Sequence, residues 1–247
     1  MPGIDRNPED EYSKNHIPGA IFFDLDKNSD QDTDLPHMLP SKEKWEEIVS
    51  AMGISNTDRV VIYDNSDVLS SCRGWYNFIY FGHDKQLVSV LDGGLKKWLI
   101  ENRKITSEKT ILNNSTYRAT ENKNLVKSIL EINENIEQKN FTVIDARSKE
   151  RFDGSVPDPR KNVRSGSIPN SVCLPFKEII NSSDNTFKGV SEISKKFSEI
   201  IDLNDDKRVF SCGSGITACV LGLAYSLVNN TYSPTVYDGS WAEYGRI

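Results

Sequence analysis

The sequence is poor in cysteine and histidine and contains no long apolar run. Its 247 residues include three histidines and four cysteines, at positions 72, 173, 212 and 219, with no Cys-x-x-Cys pair. This excludes a zinc ribbon, a thioredoxin-like redox motif and a disulfide-stapled scaffold. The most apolar stretch, 218–228, is too short to span a bilayer, and residues 1–20 lack the apolar segment of a secretory signal. These absences predict a cytoplasmic protein that has no membrane partner.

An excess of basic residues is also missing. Lys and Arg number 30 and Asp and Glu number 36, so the net charge is −6. That balance argues against nucleic acid or an anionic membrane as the main partner. The content of 37% hydrophobic and 27% charged residues is typical of a globular chain, and this length predicts one or two domains.

Short apolar runs rich in β-branched residues alternate with segments of helical periodicity. The runs predict strands at 60–63, 141–144, 208–210 and 235–237. Apolar spacing predicts three helices. The first follows Ser41 and has Trp45, Ile48, Val49 and Met52 on one face, the second has Val126, Ile129 and Leu130, and the third has Ile193, Phe197, Ile200 and Ile201 after an N-cap at Ser191. This alternation predicts an α/β fold, with mostly parallel sheets flanked by helices.

The chain also repeats itself. The segment 16–20 returns at 167–171, the strand and turn 61–66 return at 209–214, and 91–98 returns at 237–244, with offsets of 151, 148 and 146. Three matches in the same order indicate two copies of one unit. The polar stretch 113–124 is typical of a linker, so we expect a first domain at 1–118 and a second at 119–247.

The two copies differ in the turn that follows the repeated strand. The first copy has Asp-Asn-Ser at 64–66, whereas the second has Cys-Gly-Ser-Gly-Ile-Thr at 212–217. The two glycines allow a tight turn whose successive amides can point at one anion, and the next helix adds positive potential at its N-terminus. These features favour the nucleophilic thiolate form of Cys212. We expect the other three cysteines, Cys72, Cys173 and Cys219, to be packing residues.

Further motifs in both halves, together with the Cys212 loop, resemble the two-domain rhodanese-like sulfurtransferases. The loop itself looks like that of the 3-mercaptopyruvate sulfurtransferase branch. The motifs lie at 16–20, 34–40, 91–94, 145–147, 151–152, 158–160 and 236–241. The resemblance implies tandem duplicated rhodanese-like domains, in which the first copy is inactive and lacks its first strand and the second carries the catalytic cysteine.

The resemblance also assigns roles to individual residues. It implies that Cys212 takes sulfur from a donor and holds it as a persulfide. It places an Asp–His–Ser relay at Asp26, His37 and Ser214. It places the arginines for the substrate carboxylate at Arg151 and Arg160, and a guanidinium fork suits the carboxylate of an α-keto acid. The remaining substrate-binding positions are in the loop: Gly213, Gly215, Ile216 and Thr217.

The expected activity is transfer of sulfur from 3-mercaptopyruvate to cyanide or to a thiol, such as thioredoxin or a small thiol, with release of pyruvate. No cofactor and no metal are predicted. Transfer from thiosulfate is the first alternative, although 213–217 carries no charge to suit a dianionic donor. A cysteine phosphatase would need an arginine where the chain has Ala218. A non-catalytic rhodanese-like binding module would not need Cys212 together with both arginines.

Overall fold

The computed structural model describes residues 6–204 and 207–247. In this part of the chain the helices are α1 (Pro8–Lys14), α2 (Lys42–Ala51), α3 (Ser71–Tyr80), α4 (Gly94–Ile100), α5 (Ile129–Gln138), α6 (Lys149–Asp153), α7 (Val190–Ser198), α8 (Ile216–Val228) and α9 (Ser240–Tyr244). The strands are β1 (Val60–Ile62), β2 (Val88–Val90), β3 (Val126–Lys127), β4 (Thr142–Asp145), β5 (Val172–Cys173), β6 (Arg208–Ser211) and β7 (Val236–Tyr237). Short 3-10 helices lie at Lys123–Leu125 and Phe176–Ile179.

The strands form one parallel sheet in each half of the chain. In the first half β1 pairs with β2, and in the second half the strand order is β3-β7-β6-β4-β5 with every pair parallel. Parallel strands end at a common edge of the sheet, where α/β proteins carry their sites. The central strand β6 is buried along its whole length and ends directly before Cys212. The α/β fold predicted from the alternation of elements is confirmed.

The helices form largely for the predicted reasons, with two corrections. The Ser41 hydroxyl accepts the Lys44 amide and begins α2, which buries Trp45, Ile48 and Val49. In contrast, Val126 lies in β3 and Leu130 is 70% exposed, so the predicted face of α5 is wrong. The helix begins at a capping box and buries Ile132 and Asn135 instead. The N-cap of α7 is Gly189, not Ser191, and the helix ends at Ser198, before the predicted members Ile200 and Ile201.

The two halves pack against each other through α3 and α8, and one apolar core continues across them. Two reciprocal hydrogen bonds frame this contact. The Leu39 amide donates to Asp238 Oδ2 over 2.8 Å, and the Phe187 amide donates to Asp92 Oδ1 over 2.8 Å. Phe187 lies 148 residues after Leu39, and each carboxylate follows a strand of the opposite half. Each half therefore sends one loop to the strand ends of the other.

The connecting segment after α4 runs along the first half. The Ser115 amide donates to Ser50 O, and the amides of Thr120 and Asn122 donate to carbonyl groups at the end of α3. Among the helices described, none combines the length and the apolar character needed to cross a membrane.

Candidate active site

The Cys212 loop joins the end of β6 to the start of α8, as the sequence predicts. Cys212 itself is 2% exposed. Gly215 is the N-cap of α8 and has a φ of 76°, a conformation that glycine adopts without strain. The loop therefore places the cysteine beside the N-terminus of a buried helix, where the helix dipole favours negative charge.

A hydroxyl outside the loop holds it in shape. Ser240 is fully buried. Its Oγ accepts hydrogen bonds from the amides of Cys212 and Gly215 over 3.1 and 3.2 Å and donates one to Tyr237 O. The amides of Cys212 and Gly215 are therefore not available to a bound anion. Among the described residues, the amides of Gly213 and Ser214 have no hydrogen-bond acceptor. Together with the amides of Ile216 and Thr217 at the start of α8, which also have no acceptor there, they are available to a bound anion.

The three predicted relay residues lie together, although they come from both halves of the chain. His37 Nδ1 is 3.0 Å from Ser214 Oγ, and His37 Nε2 is 2.9 Å from Asp26 Oδ1. The hydrogen bond from His37 lowers the pKa of Asp26, which keeps this carboxylate charged. A neutral imidazole that donates from Nε2 to Asp26 accepts at Nδ1 from the Ser214 hydroxyl. His37 is half-buried, and this contact joins the first half to the Cys212 loop.

Both predicted arginines approach the loop from the second half. A Cβ atom built at Gly213 would lie 3.1 Å from Arg160 Nη2 and 3.3 Å from Arg151 Nη2. Asp158 orients them, since its oxygens lie 2.7 Å from Arg151 Nη2 and 3.3 Å from Arg160 Nη1. Burial opposes the charge on Asp158, but the hydrogen bond from Arg151 and the amide of Arg160 outweigh it and lower the pKa of this carboxyl.

The arginines also retain capacity for a ligand. Arg151 Nε is buried and has no hydrogen-bond partner, and both side chains keep some contact with solvent. An unpaired buried donor is costly and needs an explanation. A bound carboxylate would provide the missing acceptor. Of the other predicted loop positions, Ile216 is buried at the start of α8 and Thr217 is half-buried.

A family model for the rhodanese-like domain matches the chain twice, at residues 3–101 and 128–246. The chain belongs to the rhodanese-like family. The two matches fall on the two copies of the internal repeat, so each half is a rhodanese-like unit. The sulfurtransferase resemblance that the motifs indicate is confirmed.

Relatives of this rhodanese-like chain match it over nearly its full length. It is 41% identical to the Arabidopsis thaliana protein named thiosulfate/3-mercaptopyruvate sulfurtransferase 1, mitochondrial, covering 99% of this chain and 69% of the relative. It is 39% identical to the rat 3-mercaptopyruvate sulfurtransferase, covering 99% and 82% of the two chains. The crystal structure of Escherichia coli SseA matches with a TM-score of 0.85 and 31% identity, covering 98% and 88%.

The other cysteines of the two rhodanese-like units are buried or half-buried thiols. Burial raises the pKa of Cys173 and of Cys219 to about 12 and that of Cys72 well above its ordinary value. The Cys219 thiol donates to Gly215 O over 3.1 Å, so it supports the Cys212 loop from below. At neutral pH none of these three is a thiolate.

Sequence reasoning missed three residues that shape the site, Ser240, Arg73 and Asp238. The repeat carried a signal for the first, because Ser240 stands where the first unit has Gly94. It carried none for the contact between Arg73 and Asp238, which joins different units over 2.6 Å. Contacts of this kind become visible only in the folded chain.

Proposed function

We propose that the protein is a 3-mercaptopyruvate sulfurtransferase in which Cys212 is the sulfur acceptor. The observation that carries the proposal is the approach of Arg151 and Arg160 to Gly213, the residue next to the cysteine. Two fixed guanidinium groups there suit a donor whose carboxylate lies close to the sulfur that is transferred. The printed names of the rat and Arabidopsis relatives point to the same donor.

In the first step the Cys212 thiolate attacks the sulfur of 3-mercaptopyruvate. A sulfur–sulfur bond forms, the carbon–sulfur bond breaks, and its electron pair leaves on carbon as the enolate of pyruvate. The free amides of Gly213 and Ser214 and the N-terminus of α8 stabilise charge on the transferred sulfur. The thiol proton of the donor reaches the enolate carbon through Ser214 and His37, and pyruvate is released.

In the second step an acceptor thiolate attacks the outer sulfur of the Cys212 persulfide. The bond between the two sulfurs breaks, the thiolate of Cys212 is restored, and the acceptor leaves as a persulfide. Cyanide in the same position would leave as thiocyanate. The two steps share one site, which makes the reaction a ping-pong scheme.

Thiosulfate is the second candidate donor, since the Arabidopsis relative is named for both donors. The loop 213–217 offers this dianion no cation beyond the two arginines. We therefore expect slower transfer from thiosulfate than from 3-mercaptopyruvate.

The deciding experiment supplies 3-mercaptopyruvate and an excess of a small thiol, a second molecule of which converts the acceptor persulfide to a disulfide and sulfide, and it measures pyruvate and sulfide. The wild-type protein should release both, and Cys212→Ser should release neither above background. With donor alone, the Cys212 peptide should gain the mass of one sulfur atom. Wild-type rates equal to those of Cys212→Ser would overturn the proposal and leave a non-catalytic binding module.

The role of the arginines is tested by comparing the two donors. Arg160→Ala should raise KM for 3-mercaptopyruvate about 10- to 100-fold, the equivalent of losing one hydrogen bond to a charged group. The effect on thiosulfate should be smaller. The exposed neighbouring variant Lys161→Ala should change neither KM. Equal effects of Arg160→Ala on both donors would contradict a carboxylate-binding role.

Three finer assignments accompany this proposal. The domain boundary lies at 118/119, within the segment that connects the two matched regions. The acceptor is a thiol, either thioredoxin or a small thiol. The protein is cytoplasmic, which is supported by the four free cysteines; because the Arabidopsis relative is named mitochondrial, cell fractionation tests this assignment.

A further inference from the structure

Arg73 of α3 is a fully buried arginine whose guanidinium crosses from the first unit to the second. Its Nη1 donates to Asp238 Oδ1 over 2.6 Å and approaches Gly215 O at 3.4 Å. Its Nη2 donates to His37 O over 2.7 Å. Three acceptors from three separate segments therefore meet at one side chain.

The ion pair between Arg73 and Asp238 holds the His37 loop at two backbone groups, His37 O and the Leu39 amide. Arg73 binds the carbonyl of His37 itself, while Asp238 accepts the Leu39 amide with its second oxygen. His37 has a φ of 64°, in the left-handed region that a non-glycine residue occupies only when its surroundings hold it. These contacts fix the backbone that aims the imidazole at Ser214.

The same ion pair also touches the Cys212 loop. A Cβ atom at Gly215 would lie 2.9 Å from Arg73 Nη1 and 3.1 Å from Asp238 O, so a side chain there would crowd both groups. Asp238 in turn lies two residues before Ser240, whose hydroxyl accepts the Cys212 amide. Arg73 thus connects the His37 loop of the first unit with the Cys212 loop of the second.

The pseudo-equivalent position of the other unit lacks this feature. Asp64 and Cys212 are equivalent positions of the repeat, 148 residues apart, and Gly74 and Gly222 are separated by the same offset. The position equivalent to Arg73 is therefore Leu221. The carboxylate survives in both units, because Asp92 accepts the Phe187 amide as Asp238 accepts that of Leu39. Of these two carboxylates, only Asp238, which lies beside the Cys212 loop, is paired with an arginine at this repeat position.

A buried ion pair is not explained by stability alone. Removing two charges from water is unfavourable, and apolar residues of similar volume often stabilise a protein as well or better. Arg73 Nε is in addition buried without a hydrogen-bond partner. The pattern of contacts favours a role in fixing geometry over a role in stability.

We propose that Arg73 is a positioning residue for sulfur transfer, which fixes His37 of the first unit against Ser214 of the second through His37 O and Asp238. The kinetic role rests on the proposed function, whereas the geometric role does not.

The kinetic test uses Arg73→Met and the double variant Arg73→Met/Asp238→Asn, which removes both buried charges and keeps an acceptor for Leu39. Both should lower kcat for 3-mercaptopyruvate about tenfold or more, with KM changed less than about threefold because Arg151 and Arg160 are untouched. Combined with His37→Gln, Arg73→Met should cause no further loss beyond about twofold, because both changes remove the same contribution. Wild-type kcat in Arg73→Met, or losses that multiply, would overturn the proposal.

A second readout does not depend on turnover. The imidazole nitrogens of His37, assigned by their absence in His37→Gln, should show one fixed tautomer in the wild-type nitrogen NMR spectrum and shift toward a mixture in both Arg73 variants. Unchanged His37 signals in a folded Arg73 variant would overturn the proposal even if the wild-type protein released no pyruvate. If Arg73→Met does not fold, Arg73→Lys, which keeps the charge without the planar fork, should show a partial shift.

Arg147→Met is the matched control. Arg147 is another buried arginine, bonded to Asp145 and to Gly166 O within the second unit. This variant should lose stability, yet keep the wild-type His37 signals and a kcat within about threefold of wild type. If it moves the His37 signals as far as Arg73→Met does, loss of any buried arginine suffices and the proposal fails.

Discussion

Ser240 and Gly94 occupy equivalent positions of the two units and share one backbone conformation, with φ of 50° and 51°. This left-handed conformation costs a non-glycine residue about 1 kcal/mol. The second unit tolerates that cost at the residue whose hydroxyl accepts the amides of Cys212 and Gly215. In the first unit, where Asp64 replaces the cysteine, the position is glycine and a Cβ would lie 2.6 Å from Asp64 O.

Two substitutions of Ser240 should separate strain from hydrogen bonding. Ser240→Gly and Ser240→Ala both remove the acceptor of the Cys212 and Gly215 amides. The loop then loses the contact that holds its shape, so both variants should lower kcat/KM about tenfold. Alanine, unlike glycine, is strained in the left-handed conformation. The free energy of unfolding of Ser240→Ala should therefore be about 1 kcal/mol lower than that of Ser240→Gly. Urea unfolding and steady-state kinetics measure the two effects. Wild-type turnover in Ser240→Ala would show that the hydroxyl does not shape the loop.

Substitutions in the predicted relay should lower kcat more at the half-buried His37 than at the exposed Asp26. His37→Gln removes proton transfer at Ser214 and should lower kcat with 3-mercaptopyruvate about 100-fold. Asp26 has a side chain that is 75% exposed, so Asp26→Asn should cost less than His37→Gln. Persulfide formation followed in single-turnover mixing assigns the loss to the first step. An equal or larger effect of Asp26→Asn would contradict this order.

Acid should weaken the arginine pair through Asp158. The native pKa of Asp158 is lowered, so its ion pairs stabilise the fold fully above the unfolded value of about 3.9 and are lost as pH falls through the lower native value. Asp158→Asn should therefore be less stable than wild type at pH 7. The expected loss is about 2 kcal/mol, less than for a fully buried ion pair, because both arginines retain solvent contact. The difference should shrink below about pH 4.

Urea unfolding at several pH values measures that difference. A difference that stays constant to pH 2 would place its cause outside the carboxylate charge. The exposed variant Asp153→Asn, on α6, serves as the control and should track wild type throughout.

Alkylation should distinguish the four cysteines. Burial raises the pKa values of Cys72, Cys173 and Cys219, so these thiols should stay unmodified by iodoacetamide at pH 8 in the folded protein. Cys212 is also buried, but it lies at the N-terminus of α8, which favours the thiolate, so it should be labelled first. Prior loading with donor should add the mass of one sulfur atom to its alkylated peptide. Peptide mass spectrometry checks both points. Labelling of Cys219 ahead of Cys212 would contradict the assignment of the nucleophile.

Local patterns and the repeat predicted much of this architecture. The strands ending at Cys212 and near Asp64 follow from short β-branched runs, and the turn between β6 and α8 follows from its glycines. The helix α5 shows where periodicity misleads. Leu130 has the right spacing but lies on the exposed side, because the capping box at Ser128 and the packing of Ile132 set the rotation of the helix.

The contacts that complete the site could not be predicted in this way. Arg73 and Asp238 are 165 residues apart, and Ser240 and Cys212 are 28 apart. No periodicity connects such pairs: Arg73 and Asp238 meet where α3 packs against α8, and Ser240 meets Cys212 where the paired strands β6 and β7 end side by side. The sequence predicts Asp26, His37 and Ser214 as a relay only through the family resemblance, which carries long-range information that local propensity lacks.

The reciprocal hydrogen bonds, Leu39 to Asp238 and Phe187 to Asp92, have the form of an isologous contact, in which one patch meets a second copy of itself. The tandem chain is in this sense a homodimer whose protomers share one peptide backbone, held together at the high effective concentration that a tether provides. A true homodimer must place the same residue in both half-sites. Fusion removes that constraint, so one half-site can have cysteine and serine where the other has aspartate and glycine, while the two reciprocal hydrogen bonds between the copies are retained.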